Sequence, residues 1–205
     1  MPMDDETART LIGEEILGKM YECAAKGVAE SFTMYPETAH IHRVTTRRSI
    51  ARDHIVYHLQ KAFDGDDRVR HQPKNQTDYF HVVGRFCVLV KKADDEFEVE
   101  VAKTQASLDF KRQLPIDAQL PLDTEVIPEQ VNTYLSYVPG GDDPTAPDIF
   151  LIGPHEFGIE WKLELAPPAA KPDAEITAAP DVGPELGDLV IPKKDADEKK
   201  KDADE

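Results

Sequence analysis

The sequence predicts an α+β fold: a mainly antiparallel sheet packed by two N-terminal helices and one short middle helix, with a disordered acidic C-terminal tail. Three observations carry this. Residues 7–31 place apolar side chains at three- and four-residue steps, the period of a helix with one buried stripe. Residues 157–165 alternate apolar and polar side chains without a break, the period of a strand with one wet face. Beyond residue 165 the chain holds Pro167, Pro168, Pro172, Pro180, Pro184 and Pro192, no aromatic residue, and a Lys/Asp/Glu run from Lys193 to Glu205. Such a composition cannot bury enough apolar area to offset chain entropy. The expected organisation is one domain over residues 1–165 and a Pro-rich, charged tail over 166–205.

The first helix has the stripe Leu11, Ile12, Ile16, Leu17, Met20, Cys23, Ala24 and Val28, with Asp4 or Asp5 as its cap. A second helix starts at a Thr45 or Thr46 cap and runs to Phe63, where Gly65 stops it. Its core face is Ala51, Ile55, Leu59 and Ala62, and Arg47, His54 and His58 lie along an adjacent line. Residues 68–71 suit a short strand, and Pro73 and Asn75 mark a turn over 72–76. Residues 79–83 and 86–90 form a hairpin around Gly84-Arg85, with Lys91 and Lys92 at a solvated edge. The segment 93–100 fits a strand or a loop equally. Residues 104–114 read as an amphipathic helix ended by Pro115. Strands follow at 131–138, 149–152 and 157–165, punctuated by Pro139-Gly140-Gly141 and Gly153-Pro154, with Trp161 in the interior. The short connections imply antiparallel pairing. In the tail, residues 185–191 (with Leu186, Leu189 and Val190) are the one apolar island, suited to a docking motif.

A chain of 205 residues supports one core. No run approaches the roughly 18 apolar residues a membrane span needs, and the N-terminus is acidic, unlike a secretory signal. A cytoplasmic protein without membrane association is therefore expected. Cys23 and Cys87 sit in apolar surroundings and read as buried thiols rather than a bridge. The net charge of −16 repels polyanions and argues against nucleic acid as a partner. Arg43, Arg47, Arg48 and Arg52 nevertheless leave room for a local anion site.

His54 and His58 have the four-residue spacing that lets two imidazoles share a metal on a helix. A zinc peptidase needs a glutamate directly after the first histidine, and Ile55 stands there, so that activity is excluded on this motif. Nothing in the spacing selects a third ligand among His40, His42, His71 and His81, and neither a metal nor another cofactor is expected. No Gly-rich phosphate loop or nucleophile elbow is present. What remains is a metal-free phosphodiester site, in which histidines exchange protons and a guanidinium stabilises developing charge. Its candidate catalytic residues are Arg48, His54 and His58, and its candidate anion-binding residues are Arg47, Arg85, Lys91 and Lys92. The competing reading pairs these cations with the plentiful carboxylates on a solvated helix face.

Arg48-x-x-x-Arg52-Asp53-His54, then Gly84-Arg85-Phe86 opening a strand that ends in Lys91-Lys92, then Thr104-Gln105-Ala106-x-Leu108-Asp109-Phe110 with Gln113, and a late strand carrying Trp161 form a pattern. It resembles a group of bacterial proteins of unassigned function over residues 10 to 165. Members of that group tend to be encoded beside a helix-turn-helix protein fused to an ImmA/IrrE-type metallopeptidase, in the manner of a toxin-antitoxin or phage-defence pair. The resemblance implies that neighbouring regulator as a partner, and a possible toxic role. Glu98 and Glu100 stand where the group is expected to be more basic. The functional expectation is a non-enzymatic interaction or regulatory protein of a bacterial two-gene module. The alternative is a toxin with metal-independent ribonuclease or other phosphodiesterase activity. The sequence leaves the oligomeric state open.

Overall fold

A computed structural model describes residues 3–34, 37, 41–100, 103–114, 130–140, 143 and 145–168. All of them belong to one unit, Met1–Ala169. The predicted tail, apart from residues 166–168, and its apolar island at 185–191 lie outside the described residues.

Asp4 opens α1 (Asp5–Ile12), its carboxylate accepting a hydrogen bond from the Thr7 backbone N–H at 2.8 Å. The single N-terminal helix expected from the stripe is two helices, because Gly13 takes φ +86° and separates α1 from α2 (Glu14–Thr33). Ile12 and Ile16, on either side of the break, are both buried. Apart from Leu11, which is 39% exposed, the stripe runs through the break, which is why periodicity alone did not register the glycine. Then α3 (Val44–Ala62) packs on α2 and ends before Gly65, which has φ +76°.

The strands β1 (Val69–Lys74), β2 (Thr77–Val82), β3 (Phe86–Lys92), β4 (Val131–Val138), β5 (Asp148–His155) and β6 (Gly158–Glu164) form one sheet in chain order. Neighbours are antiparallel, as expected, with one exception: β3 and β4 are parallel, in register from Phe86↔Val131 to Lys92↔Tyr137. The chain between them is long enough for a crossover and includes α4 (Gln105–Lys111), capped by Thr104. Segment 93–100 turns back on itself through an Ala93↔Val99 bridge.

α3 starts at Val44, ahead of the expected Thr45 or Thr46 cap, with Arg43 at the cap position and no capping side chain. Three features of the sheet also differ from expectation, each for a local reason. β1 continues through Pro73, which an edge strand tolerates, and the turn falls on Asn75 and Gln76, both at positive φ (50° and 63°). β5 continues through Gly153-Pro154 and absorbs the irregularity as a bulge against β6. Lys91 and Lys92 do not end an edge: β3 lies between β2 and β4 in the sheet interior.

One sheet face carries Val82, Phe86, Val88, Val90, Leu135, Leu151, Trp161 and Leu163 into a core closed by the stripes of α1, α2 and α3. Trp161 is 6% exposed, in the interior as expected, while Phe157 at the start of the same alternation is 87% exposed. The other face packs Cys87, Tyr134, Phe150 and Ile152 under Phe110 of α4 and under Phe97. There Gln113 donates to the carbonyls of Asn132 and Pro154 at 3.0 and 2.8 Å, and Asn132 donates back to those of Phe110 and Leu114. Cys23 and Cys87 are buried and form no disulfide. No helix among the described residues is long and apolar enough to cross a membrane.

Candidate functional site

Two periodicities set out the site. On α3 the four-residue step carries Arg48 and Arg52 along one line and His54 and His58 along another, roughly a third of a turn away. On β3 the two-residue alternation puts Val90 and Lys92 on the helix-covered face and Lys91 on the other. The parallel register sets Tyr137 of β4 beside Lys92.

The result is a cleft of about 160 Å³ where α3 meets the end of β3, lined by Arg48, Ser49, Arg52, Val90, Lys91, Lys92 and Glu100. It adjoins a pocket of about 340 Å³ that shares Arg48 and Lys92 and adds Arg47, His42, Tyr137 and an apolar surface of Phe32, Val44, Ile50 and Pro139. Arg48 Nη1 is ion-paired with Glu100, whose side chain is 76% exposed, and the buried Nε of Arg48 has no hydrogen-bond partner. Arg52 pairs with the neighbouring Asp53 at 2.9 Å. The crowding of cations is visible in their proton affinities. Burial, then Arg52, holds the Lys91 ammonium below its ordinary pKa, and burial, then Arg48, does the same to Lys92. Burial pushes the Tyr137 phenol up to about 12, against the pull of Arg48 and Arg52.

His54 and His58 look elsewhere. Both meet a single carboxylate oxygen, Glu30 Oε2 on α2, at 3.2 Å from His54 Nδ1 and 2.7 Å from His58 Nε2. The hydrogen bond from His58 is the main reason that the Glu30 carboxyl is held below its usual range, against a smaller opposing effect of burial.

The seven predicted site residues therefore sort into three places. Arg47, Arg48, Lys91 and Lys92 come together around the cleft and its adjoining pocket. His54 and His58 form a second cluster with Glu30. Arg85 lies in the β2–β3 turn, at the opposite end of β3 from Lys92. Sequence reading gave His42 no part in an anion site and missed Tyr137, Phe32 and the in-place carboxylate of Glu100. The Arg and Lys clusters were visible, but the pairing of β3 with β4 that brings Tyr137 to Lys92 leaves no local signal. Among the described residues no group of three or more His, Cys, Asp or Glu is arranged to hold a metal ion. A larger pocket, about 580 Å³, is bordered by Phe63, Asp64, Asp66, Asp67, Arg70 and His71 and contains none of the seven.

No family model, curated protein or solved structure matches this chain.

Proposed function

We propose that this chain is a non-enzymatic interaction protein of regulatory type, working in a cytoplasmic bacterial two-gene module. It docks an acidic segment of its partner in the cleft between α3 and the ends of β3 and β4. The observation that carries this is the separation of charge from proton chemistry. Arg47, Arg48, Arg52, Lys91 and Lys92 gather around one cleft, while His54 and His58 both engage Glu30. A metal-free phosphodiesterase needs an imidazole within hydrogen-bond reach of the atoms that its cations stabilise. His54 and His58, both engaged with Glu30, are not placed to serve the cations of the cleft in that way, which leaves the cleft suited to holding an anion. The resemblance carried by Arg48, Arg52, Gly84-Arg85 and Thr104-Gln105 points to the partner: the neighbouring helix-turn-helix and metallopeptidase regulator.

Calorimetric titration of the full chain with that regulator tests the reading. Charge-assisted contacts contribute about 1.5–3 kcal/mol each, so Arg48→Glu with Lys92→Glu is expected to weaken binding by more than tenfold at unchanged melting temperature. Unchanged affinity in the double variant overturns the reading.

One observation favours the phosphodiesterase toxin as the second reading: His42 and Tyr137 line the same pocket as Arg47, Arg48 and Lys92. Cleavage of RNA in the presence of a chelator, with growth arrest on expression, both lost in His42→Ala, selects it. Intact RNA and unchanged growth select the binding protein.

A further inference from the structure

Arg48 is only partly used. Glu100 takes Nη1, at one end of the guanidinium, while the Nε edge is buried and unpartnered. That edge is the side from which an oxyanion makes two parallel hydrogen bonds to an arginine. Lys92 flanks it from β3, Lys91 borders the cleft from the other sheet face, and Arg52 follows Arg48 one turn along α3. Around the cleft and the adjoining pocket five cations (Arg47, Arg48, Arg52, Lys91, Lys92) stand against three carboxylates, Glu100 on Arg48, Asp53 on Arg52 and Asp95 near Lys92. The local excess is two positive charges, which matches a dianion better than a single carboxylate. The N-terminus of α3 opens on the adjoining pocket through Val44, and Arg43 supplies no capping side chain, so the positive end of the helix dipole adds to the same field. The adjoining pocket, about 340 Å³, is within the range of small-molecule sites, and its apolar surface of Phe32, Val44, Ile50 and Pro139 suits a ring rather than a bare ion.

We propose that this cleft is a binding site for a small organic phosphate, with the phosphoryl group on the Nε edge of Arg48 beside Lys92, the apolar body in the adjoining pocket, and Glu100 as the internal anion that it displaces. The inference rests on the binding role proposed for this cleft and adds a regulator to it. A phosphate ligand and an acidic segment of the partner would compete for Arg48 and Lys92. Glu100 suits the part of a placeholder, because its side chain is 76% exposed and so holds Arg48 without being locked in the core. Exposed ion pairs of this kind contribute little, so displacing one costs an incoming dianion little.

Calorimetric titration of the full chain with phenyl phosphate, inorganic phosphate and benzoate tests the assignment. Phenyl phosphate is expected to bind tighter than inorganic phosphate, which lacks the ring, and at least about tenfold tighter than benzoate, which lacks the second charge. Lys92→Met is expected to weaken phenyl phosphate about tenfold or more. Glu100→Gln, which removes the internal competitor at an exposed position, is expected to tighten it about two- to fivefold. A gain of affinity cannot come from misfolding. Equal affinity for benzoate and phenyl phosphate overturns the inference, as does no measurable binding of phenyl phosphate, or no response to either substitution at unchanged melting temperature. If phenyl phosphate fails while the regulator still binds and still responds to Arg48→Glu with Lys92→Glu, the inference falls and the binding reading stands. If phenyl phosphate binds as described and the regulator does not, the reverse holds.

Discussion

Glu30 decides what His54 and His58 do. The histidine spacing was legible because both residues lie on one helix, where four positions make one turn. Their partner was not, because it sits on α2, and which helix face meets which depends on packing that neither helix records. Glu30 has its carboxyl pKa lowered by the two imidazoles, chiefly His58. A carboxyl so depressed stabilises the fold above its ordinary pKa of 4.5, and that contribution is lost as pH falls below 4.5 through the depressed value. Because the Glu30 side chain is 34% exposed, solvent screening limits the effect to about 1 kcal/mol or less. In a chain of this size that corresponds to roughly 2–4 °C in melting temperature. Glu30→Gln is therefore expected to melt a few degrees lower than the parent at pH 6, with the gap narrowing as pH drops below 4.5. A gap that persists unchanged at pH 3 would mean that the carboxylate charge does not hold α2 to α3.

At the scale of elements, close contact between α2 and α3 is what sets both clusters. Gly27 makes it possible: a Cβ at that position would meet the backbone N of Ile55 at 2.6 Å and its Cα at 2.8 Å. Backbone cannot step aside as a side chain can. Gly27→Ala gains about 1 kcal/mol of helix propensity but forces overpacking at a cost of about 1–3 kcal/mol, so the clash wins. The substitution is expected to lower the denaturant midpoint, whereas a rise would show that the helices separate freely. Sequence reading found nearly all of these elements, since stripes such as Ala51, Ile55 and Leu59, and alternations such as Trp161, Leu163 and Leu165, are local patterns. It misread what depends on neighbours. Pro73 and Gly153-Pro154 resemble breaks until one knows that β1 is an edge and that β6 meets β5 with a bulge. Lys91-Lys92 resembles a solvated edge until β4 is found alongside, in parallel.

Over the whole molecule the cation cleft is a local exception. Residues 166–205 account for −5 of the net charge of −16, which leaves −11 on the preceding residues that carry the fold. The acidic surplus therefore belongs to the domain as well as to the tail, and the clustering of Arg47, Arg48, Arg52, Lys91 and Lys92 runs against it. Long-range repulsion by the acidic surface discourages long polyanions, while the half-exposed cleft retains a local attraction for one compact anionic group. Burial and mutual repulsion together make an anion the stabilising occupant, and Glu100 fills that place in cis. The central claim is that this molecule works by binding at the α3–β3 cleft. Amide chemical-shift mapping of the nitrogen-15-labelled chain, titrated with the proposed partner, a helix-turn-helix and metallopeptidase regulator, tests it most directly. Shifts concentrated at residues 44–52, 90–92 and 136–138 are the expected result. Shifts confined to other surfaces, such as the neighbourhood of Phe97 and Phe157, or no shifts at all, would contradict it.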